Sequence, residues 1–347
     1  MKILIATTHV PFISGGAEIQ ALSLKTHLEK AGHTCEIFSL PFRGEASDIV
    51  HTVPYAKRLD LNTVFGHRVD RIIGLKFPAY LLPHSSKAIW LIHQQRDVYD
   101  LWDSGHSSLL NHPSGQAIRE MIGHLDQQAF QECKLLVTES QNVSKRLQKY
   151  NGISASPLYH PPMNEEKFYT AEAQPYFFFP SRLNPLKRQE LVLKALARTR
   201  NPVQVTFAGV SDIPQYEGQI RERVEELHLQ DRVKMLGRIS EDQKLDLYAK
   251  CQAVIYPPYD EDYGYVTLEA MLSSKSVITC HDSGGTLEFV QPGKTGWVCY
   301  STPEELAGTL DQAWEQTALA KTYGAAGRDL YQSMDISWKR VVATLCE

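Results

Sequence analysis

Short apolar runs alternate with helix-period segments over nearly the whole chain, and that rhythm limits the possible folds more than any other feature. Residues 3–7 read as a buried strand. The turn Ser14-Gly15-Gly16 comes next, then a helix through Leu28 with Ile19, Leu22 and Leu24 on its apolar side. Gly32 ends that helix, and residues 34–39 form the next strand. A strand, a helix and a strand in succession make a βαβ unit, and such units build parallel sheets. Residues 88–92, 135–138 and 157–159 read as further strands, and residues 115–133 as a helix with Ile118, Ile122, Leu125 and Ala129 on one face.

The rhythm breaks at His160-Pro161-Pro162, because two prolines continue neither a helix nor a central strand. After a polar stretch it restarts. Strands are expected at 176–179, 203–208, 232–236, 253–256 and 277–279, with a helix at 219–227 and a capping-box start at Ser240-x-x-Gln243. The expected fold class is α/β: two doubly wound, Rossmann-like domains facing a cleft. The boundaries fall at 1–162 and 163–331, with a last helix near 332–347.

Composition narrows the function classes. A chain of 347 residues suits about two domains. With 43% hydrophobic and 22% charged residues it is no disordered segment. The net charge of −4 argues against bulk electrostatic binding, so no nucleic-acid partner is expected. No apolar run approaches the roughly 18 residues of a membrane span. The six cysteines are scattered in apolar segments without C-x-x-C spacing, which suits packed thiols in a reducing compartment, hence the cytoplasm.

Four segments carry chemistry. The first is Tyr259-Asp260-Glu261-Asp262-Tyr263-Gly264-Tyr265-Val266-Thr267-Leu268-Glu269-Ala270-Met271, placed after a strand and the breaker Pro257-Pro258. Gly264 allows a turn into a helix, whose first amides at Tyr265, Val266 and Thr267 suit an anion such as phosphate. On a continuous helix Glu261 and Glu269 would stand about 12 Å apart. They suit two parts of one long ligand better than a carboxylate pair around one bond. By residue type alone, Glu261 would be a solvated loop acid and Glu269 a surface helix residue.

The second segment is Pro180-Ser181-Arg182-Leu183-Asn184-Pro185-Leu186-Lys187-Arg188, at a strand-to-helix corner. Fixed cations there, Arg182 and Lys187, would suit an anionic ligand. Arg188 is a candidate third contact. The third is Gly15-Gly16 between the first strand and first helix, which is not a G-x-G-x-x-G dinucleotide fingerprint. The fourth is His93, at the C-terminal end of a predicted strand. No helix-spaced metal pair occurs among the acids and histidines, so neither a metal nor another cofactor is expected. Asp260-Glu261-Asp262 spells D-x-D, a metal motif elsewhere, but it lies inside the longer pattern.

That longer pattern, E-x7-E with Tyr263-Gly264 inside it and Glu-Ala-Met at its end, resembles the signature of family 4 retaining glycosyltransferases with the GT-B fold. The stretch from Ser276 through Ser283-Gly284-Gly285 to Glu288 is similar to the segment after the signature in that family. The resemblance implies that Glu269 bonds ribose, Glu261 the donor sugar, and the amides between them sugar and phosphate. It implies that Arg182 and Lys187 hold the pyrophosphate, although Ser181 stands where the family usually has glycine. It further implies that Gly15 and Gly16 close over the phosphates, that His93 lies near the sugar and acceptor, and that Gly237 and Arg238 line the nucleobase. The final helix would cross back to the first domain.

The implied activity is transfer of a sugar, with retention, from a nucleotide diphosphate sugar to a saccharide or lipid-linked hydroxyl. UDP is favoured on family frequency and GDP is the alternative. Competing expectations are an epimerase or hydrolase on the same fold, or a catalytically silent nucleotide-sugar-binding subunit. Enzymes of this kind often dock on membranes. Lys57, Arg58, Arg68, Arg71 and Lys76, interleaved with Ile72, Ile73, Leu75 and Phe77, read either as a core-facing helix with a solvated basic face or as a basic amphipathic surface for peripheral contact at an inner membrane face.

Overall fold

The computed structural model describes residues 1–13, 15–211 and 213–347, so Ser14 of the glycine turn lies outside the described residues. The chain divides into two units. One comprises Met1–Met163 with Ser337–Glu347, the other Asn164–Ile336.

The first unit runs β1 (Lys2–His9), α1 (Gly16–Lys30), β2 (Thr34–Pro41), α2 (Ala46–Arg58), the hairpin β3 (Thr63–Val64) and β4 (His67–Arg68), then β5 (Arg71–Lys76). It continues with β6 (Lys87–His93), α3 (Asp100–Asp103), α4 (Gly115–Glu132), β7 (Leu135–Thr138), α5 (Gln141–Asn151) and β8 (Ser156–Pro157). Its main sheet has the order β2-β1-β5-β6-β7-β8, and all its pairings are parallel. Successive side chains of a strand point to opposite faces. Trp90 therefore joins Ile5, Leu24 and Leu28 on one face, while Ile89 and Leu91 join Ile122 of α4 and Leu147 of α5 on the other.

The second unit runs β9 (Phe177–Pro180), α6 (Gln189–Leu196), β10 (Val205–Ala208), α7 (Pro214–Glu226), β11 (Val233–Met235), α8 (Glu241–Lys250) and β12 (Ala253–Ile255). Then come α9 (Tyr265–Leu272), β13 (Val277–Cys280), β14 (Gly296–Cys299), α10 (Pro303–Glu315) and α11 (Thr317–Ser333). Its sheet is parallel in the order β11-β10-β9-β12-β13-β14, the doubly wound Rossmann order. The direction of winding reverses between β9 and β12. At their C-terminal ends the connecting loops diverge, and ligands of doubly wound sheets bind at such a point.

The last helix, α12 (Trp338–Cys346), returns to the first unit as expected. Val341 and Leu345 are fully buried beside Ile3 and Trp90. Full burial of side chains this size stabilises by about 1.5–3 kcal/mol each. Trp338 stacks on His27 at 4.7 Å.

Several elements differ from expectation. The helix expected at 219–227 begins at Pro214, because a proline fits the first helical position, where no amide partner is needed. The strand expected at 157–159 is only Ser156–Pro157. The expected basic amphipathic surface is corrected: Ile72, Ile73, Leu75 and Phe77 are fully buried, the first three within β5 between β1 and β6. A parallel strand covered on both faces is apolar throughout, so its composition mimics a membrane-facing stripe. Among the described residues no helix is long and apolar enough to cross a membrane.

Candidate functional site

In the second unit Lys187 and Glu261, two of the expected residues, meet where the winding reverses. After β9 the chain makes a turn at Arg182–Asn184. Buried Gln189 holds it by donating from Nε2 to the Arg182 carbonyl at 2.9 Å. Asn184 then caps a 3₁₀ turn, Pro185–Lys187, by accepting from the Leu186 amide at 2.9 Å. This turn carries Lys187 towards the end of β12. Arg182 is exposed at the turn's start.

After β12, two loops cross-brace each other. The Asp260 amide donates to the Asp282 carbonyl at 2.8 Å, and the Gly285 amide to the Glu261 carbonyl at 2.7 Å. A side chain at residue 285 would put its Cβ 2.5 Å from the Asp262 carbonyl oxygen, so this approach requires glycine. Gly284-Gly285 thus fixes the backbone that presents Glu261.

Lys187 and Glu261 meet. Lys187 Nζ donates to Glu261 Oε2 at 2.5 Å and to the Tyr256 hydroxyl at 3.0 Å. The lysine and glutamate side chains are about one-fifth exposed, at 18% and 20%. Burial and the neighbouring Glu261 push the Tyr256 phenol well above its usual range, so it remains protonated. The fixed cation therefore sits with a fixed anion, and both stay open on one side.

Gly264 caps α9 with φ at +86°, a conformation that costs other residues energy. Val266 and Thr267 point their side chains into the core, so they offer a ligand only backbone. One expectation is corrected here. The Thr267 amide is not spare, because it donates to the Gly264 carbonyl at 2.9 Å in a tight first turn. Of the three amides expected to face an anion, that of Thr267 is thus used within the helix.

Glu269, one turn further along α9, is 12% exposed. Its carboxylate accepts from Lys244 Nζ at 2.9 Å on one oxygen and from the Tyr248 hydroxyl at 2.7 Å on the other. Arg188, expected as a third phosphate contact, is committed elsewhere. Its guanidinium binds Asp282 through two bonds of 2.7 Å and lies 5.1 Å from the Tyr259 ring centre. Burial pushes the Asp282 carboxyl up, but Arg188 and Ser301 overcome this and hold it below the usual range. Gly237, with φ at +64°, bonds through its carbonyl to the Gly209 amide at 2.8 Å, and Arg238 beside it is exposed.

In the first unit, Gly15 is the cap of α1 and Gly16 its first residue. The Gly15 amide already donates to Glu18 Oε2 at 2.8 Å, so a carboxylate occupies a position that suits a phosphate oxygen. His93 ends β6, half-buried, with Nδ1 2.6 Å from the Gln94 carbonyl oxygen.

Sequence reasoning missed Tyr256, Lys244, Tyr248 and Asp282. Tyr256 hid as the end of an apolar run. Lys244 and Tyr248 stand four apart on α8, one face of a helix whose capping box is plain in the sequence, but nothing local says that this face meets Glu269.

Comparison with known proteins adds to this geometry. Residues 163–330 match the family model described as "Glycosyl transferases group 1". The alpha-1,3/1,6-mannosyltransferase ALG2 of Dictyostelium discoideum is 31% identical over 134 residues, which cover 37% of this chain and 32% of that protein. The chain thus spans about a third of the length of that relative. Sucrose-phosphate synthase from Thermosynechococcus elongatus superposes with a TM-score of 0.79 at 18% identity, covering 99% of this chain and 97% of that one. Anabaena HepE, solved in complex with UDP-glucose, gives 0.71 at 20% identity, covering 100% and 98%. The second unit thus carries the group 1 glycosyl transferase sequence pattern, and the whole chain has the GT-B fold, two Rossmann-like units with the last helix returned to the first.

Proposed function

We propose that the chain is a retaining, metal-independent glycosyltransferase that moves a sugar from a nucleotide diphosphate sugar to a hydroxyl of a saccharide or lipid-linked acceptor. The observation carrying this reading is the meeting of Lys187 and Glu261 at the winding reversal, followed in the chain by the first turn of α9 and Glu269, inside the matched stretch. A mannosyltransferase among the relatives and a UDP-glucose complex among the structural neighbours support a nucleotide-sugar donor. A UDP-sugar is favoured, with a GDP-sugar as the alternative.

In this reading Glu269 accepts from ribose hydroxyls, while Gly237 and Arg238 border the base. The amides of Tyr265 and Val266 with Lys187 and Arg182 take the diphosphate, to which Gly15 and Gly16 are also assigned. Glu261 then orients the sugar, with His93 at the reacting face. Charge grows on the diphosphate as its bond to the sugar breaks. Lys187 is placed to track that charge by trading its bond to Glu261 for one to phosphate. The leaving phosphate accepts the proton of the incoming hydroxyl. The protein would work in the cytoplasm, touching a membrane only where the acceptor is lipid-linked.

Thermal-shift screening with UDP-, GDP- and ADP-sugars tests the reading. A true donor stabilises by about 2.7 kcal/mol at a hundredfold over its dissociation constant. With that donor, the product should keep the donor's anomeric configuration. No stabilisation by any donor overturns the proposal. Release of an epimerised free sugar without acceptor assigns the chain to the epimerase reading instead.

A further inference from the structure

α8 begins at a capping box. Ser240 Oγ accepts from the Gln243 amide at 3.2 Å, and the Ser240 amide donates to Gln243 Oε1 at 2.9 Å. One turn into the helix is Lys244, and a further turn along the same face is Tyr248. Neither side chain can swing freely. Tyr248 is fully buried and packs edge-on against Phe178 at 5.0 Å and Phe168 at 5.8 Å. Lys244 lies 5.5 Å from the Phe168 ring centre and 3.2 Å from Glu241 Oε1.

These two donors take one oxygen each of the Glu269 carboxylate, at 2.9 and 2.7 Å. A carboxylate oxygen carries two acceptor sites. Each Glu269 oxygen therefore keeps one, in a carboxylate plane fixed by two donors and still 12% exposed. Two acceptors spaced as in one carboxylate match two hydroxyl donors on adjacent carbons. Burial pulls the Lys244 ammonium down, but Glu269 and Glu241 more than offset it and hold it above its usual range. Burial and Glu269 raise the Tyr248 phenol well above its usual range. Both groups thus remain donors throughout the working pH range.

We infer that Lys244 and Tyr248 are positioning residues that lock the Glu269 carboxylate for recognition of the vicinal ribose diol. This rests on the reading that Glu269 meets the donor's ribose. It assigns selection of ribose over deoxyribose to a helix that itself never touches the nucleotide.

The test measures dissociation constants of whichever of UDP and GDP stabilises the wild type more, and of its 2′,3′-dideoxy counterpart. The proteins are the wild type, Lys244→Met, Lys244→Arg and Tyr248→Phe. The wild type should prefer the ribose form by at least about tenfold, since a site built around hydroxyls penalises their loss. Lys244→Met and Tyr248→Phe should cut that preference to about threefold or less, weakening the ribose form while sparing the dideoxy form. Lys244→Arg should recover part of it, and in turnover KM should rise with kcat held. Two outcomes overturn the inference: a wild-type preference persisting in both variants, or equal weakening of both ligand forms. A wild type without any preference removes ribose from Glu269, and the functional reading fails with it.

Discussion

Lys187 Nζ stands 2.5 Å from Glu261 Oε2, so the cation expected to hold the leaving pyrophosphate is paired with the anion expected to hold the sugar. The pairing gives each side chain a hydrogen-bond partner in a partly buried site. It also couples them, since removing one strands the other.

Lys187→Ala should therefore lower the transfer rate by about 10²–10³, the usual cost of one electrostatic stabiliser of the transition state. The fold should survive, because Glu261 is about one-fifth exposed and water can reach the carboxylate left without its lysine. Initial rates and a circular-dichroism melt check both parts. A normal rate would take Lys187 out of the site.

Gly264→Ala should weaken both fold and donor binding. Its φ of +86° costs an alanine about 1–2 kcal/mol, and the added Cβ would sit 3.1 Å from Thr286 Oγ1. Thr286 is fully buried, so any retreat disturbs its packing. Urea denaturation should show the loss, and calorimetric titration with the nucleoside diphosphate should show a weaker site. An unchanged midpoint would mean that the α9 cap is not under conformational demand.

Chelators should leave activity unchanged, because Lys187, Arg182 and the α9 amides are assigned the charge that a divalent ion supplies in D-x-D enzymes. The rate after treatment with EDTA is the measurement. A strict Mn²⁺ or Mg²⁺ requirement would transfer that role to the acids at 260–262.

The first unit contains a pH-sensitive group away from this chemistry. Asp126 is fully buried, and burial raises its carboxyl to about 7 although the Tyr99 and Tyr80 hydroxyls bond to it at 2.8 Å each. The unfolded value is about 3.9. Between these values the folded state holds a proton that the unfolded state has lost. This group's contribution is therefore fully present below pH 4 and falls as pH rises to 7, by up to about 1.4 kcal/mol per unit. The stability difference between wild type and Asp126→Asn, from urea melts at pH 4.5, 6 and 7.5, should shift against the wild type as pH rises. A difference independent of pH would contradict the assignment.

Much of the fold was legible because alternation of apolar runs with helical periods is a local signal. The strand at 135–138 and the helix from Gly115 can be read from side-chain spacing alone. Gly264 could be placed at the start of α9 because a turn into a helix demands a residue free of Cβ strain. Other features were not local. The run 71–77 is basic and apolar in sequence, and only its position between β1 and β6 makes it core.

By itself the sequence determined two doubly wound units, the helix start at Gly264 and the candidate residues Lys187, Glu261 and Glu269. Only the tertiary structure decided that Lys187 pairs with Glu261, that Arg188 is spent on Asp282, and that Lys244 and Tyr248 hold Glu269. The reason is physical. Helix and strand periods act over a few residues, whereas these pairs join side chains 21 to 94 positions apart, brought together only when the sheet stacks its strands out of sequence order.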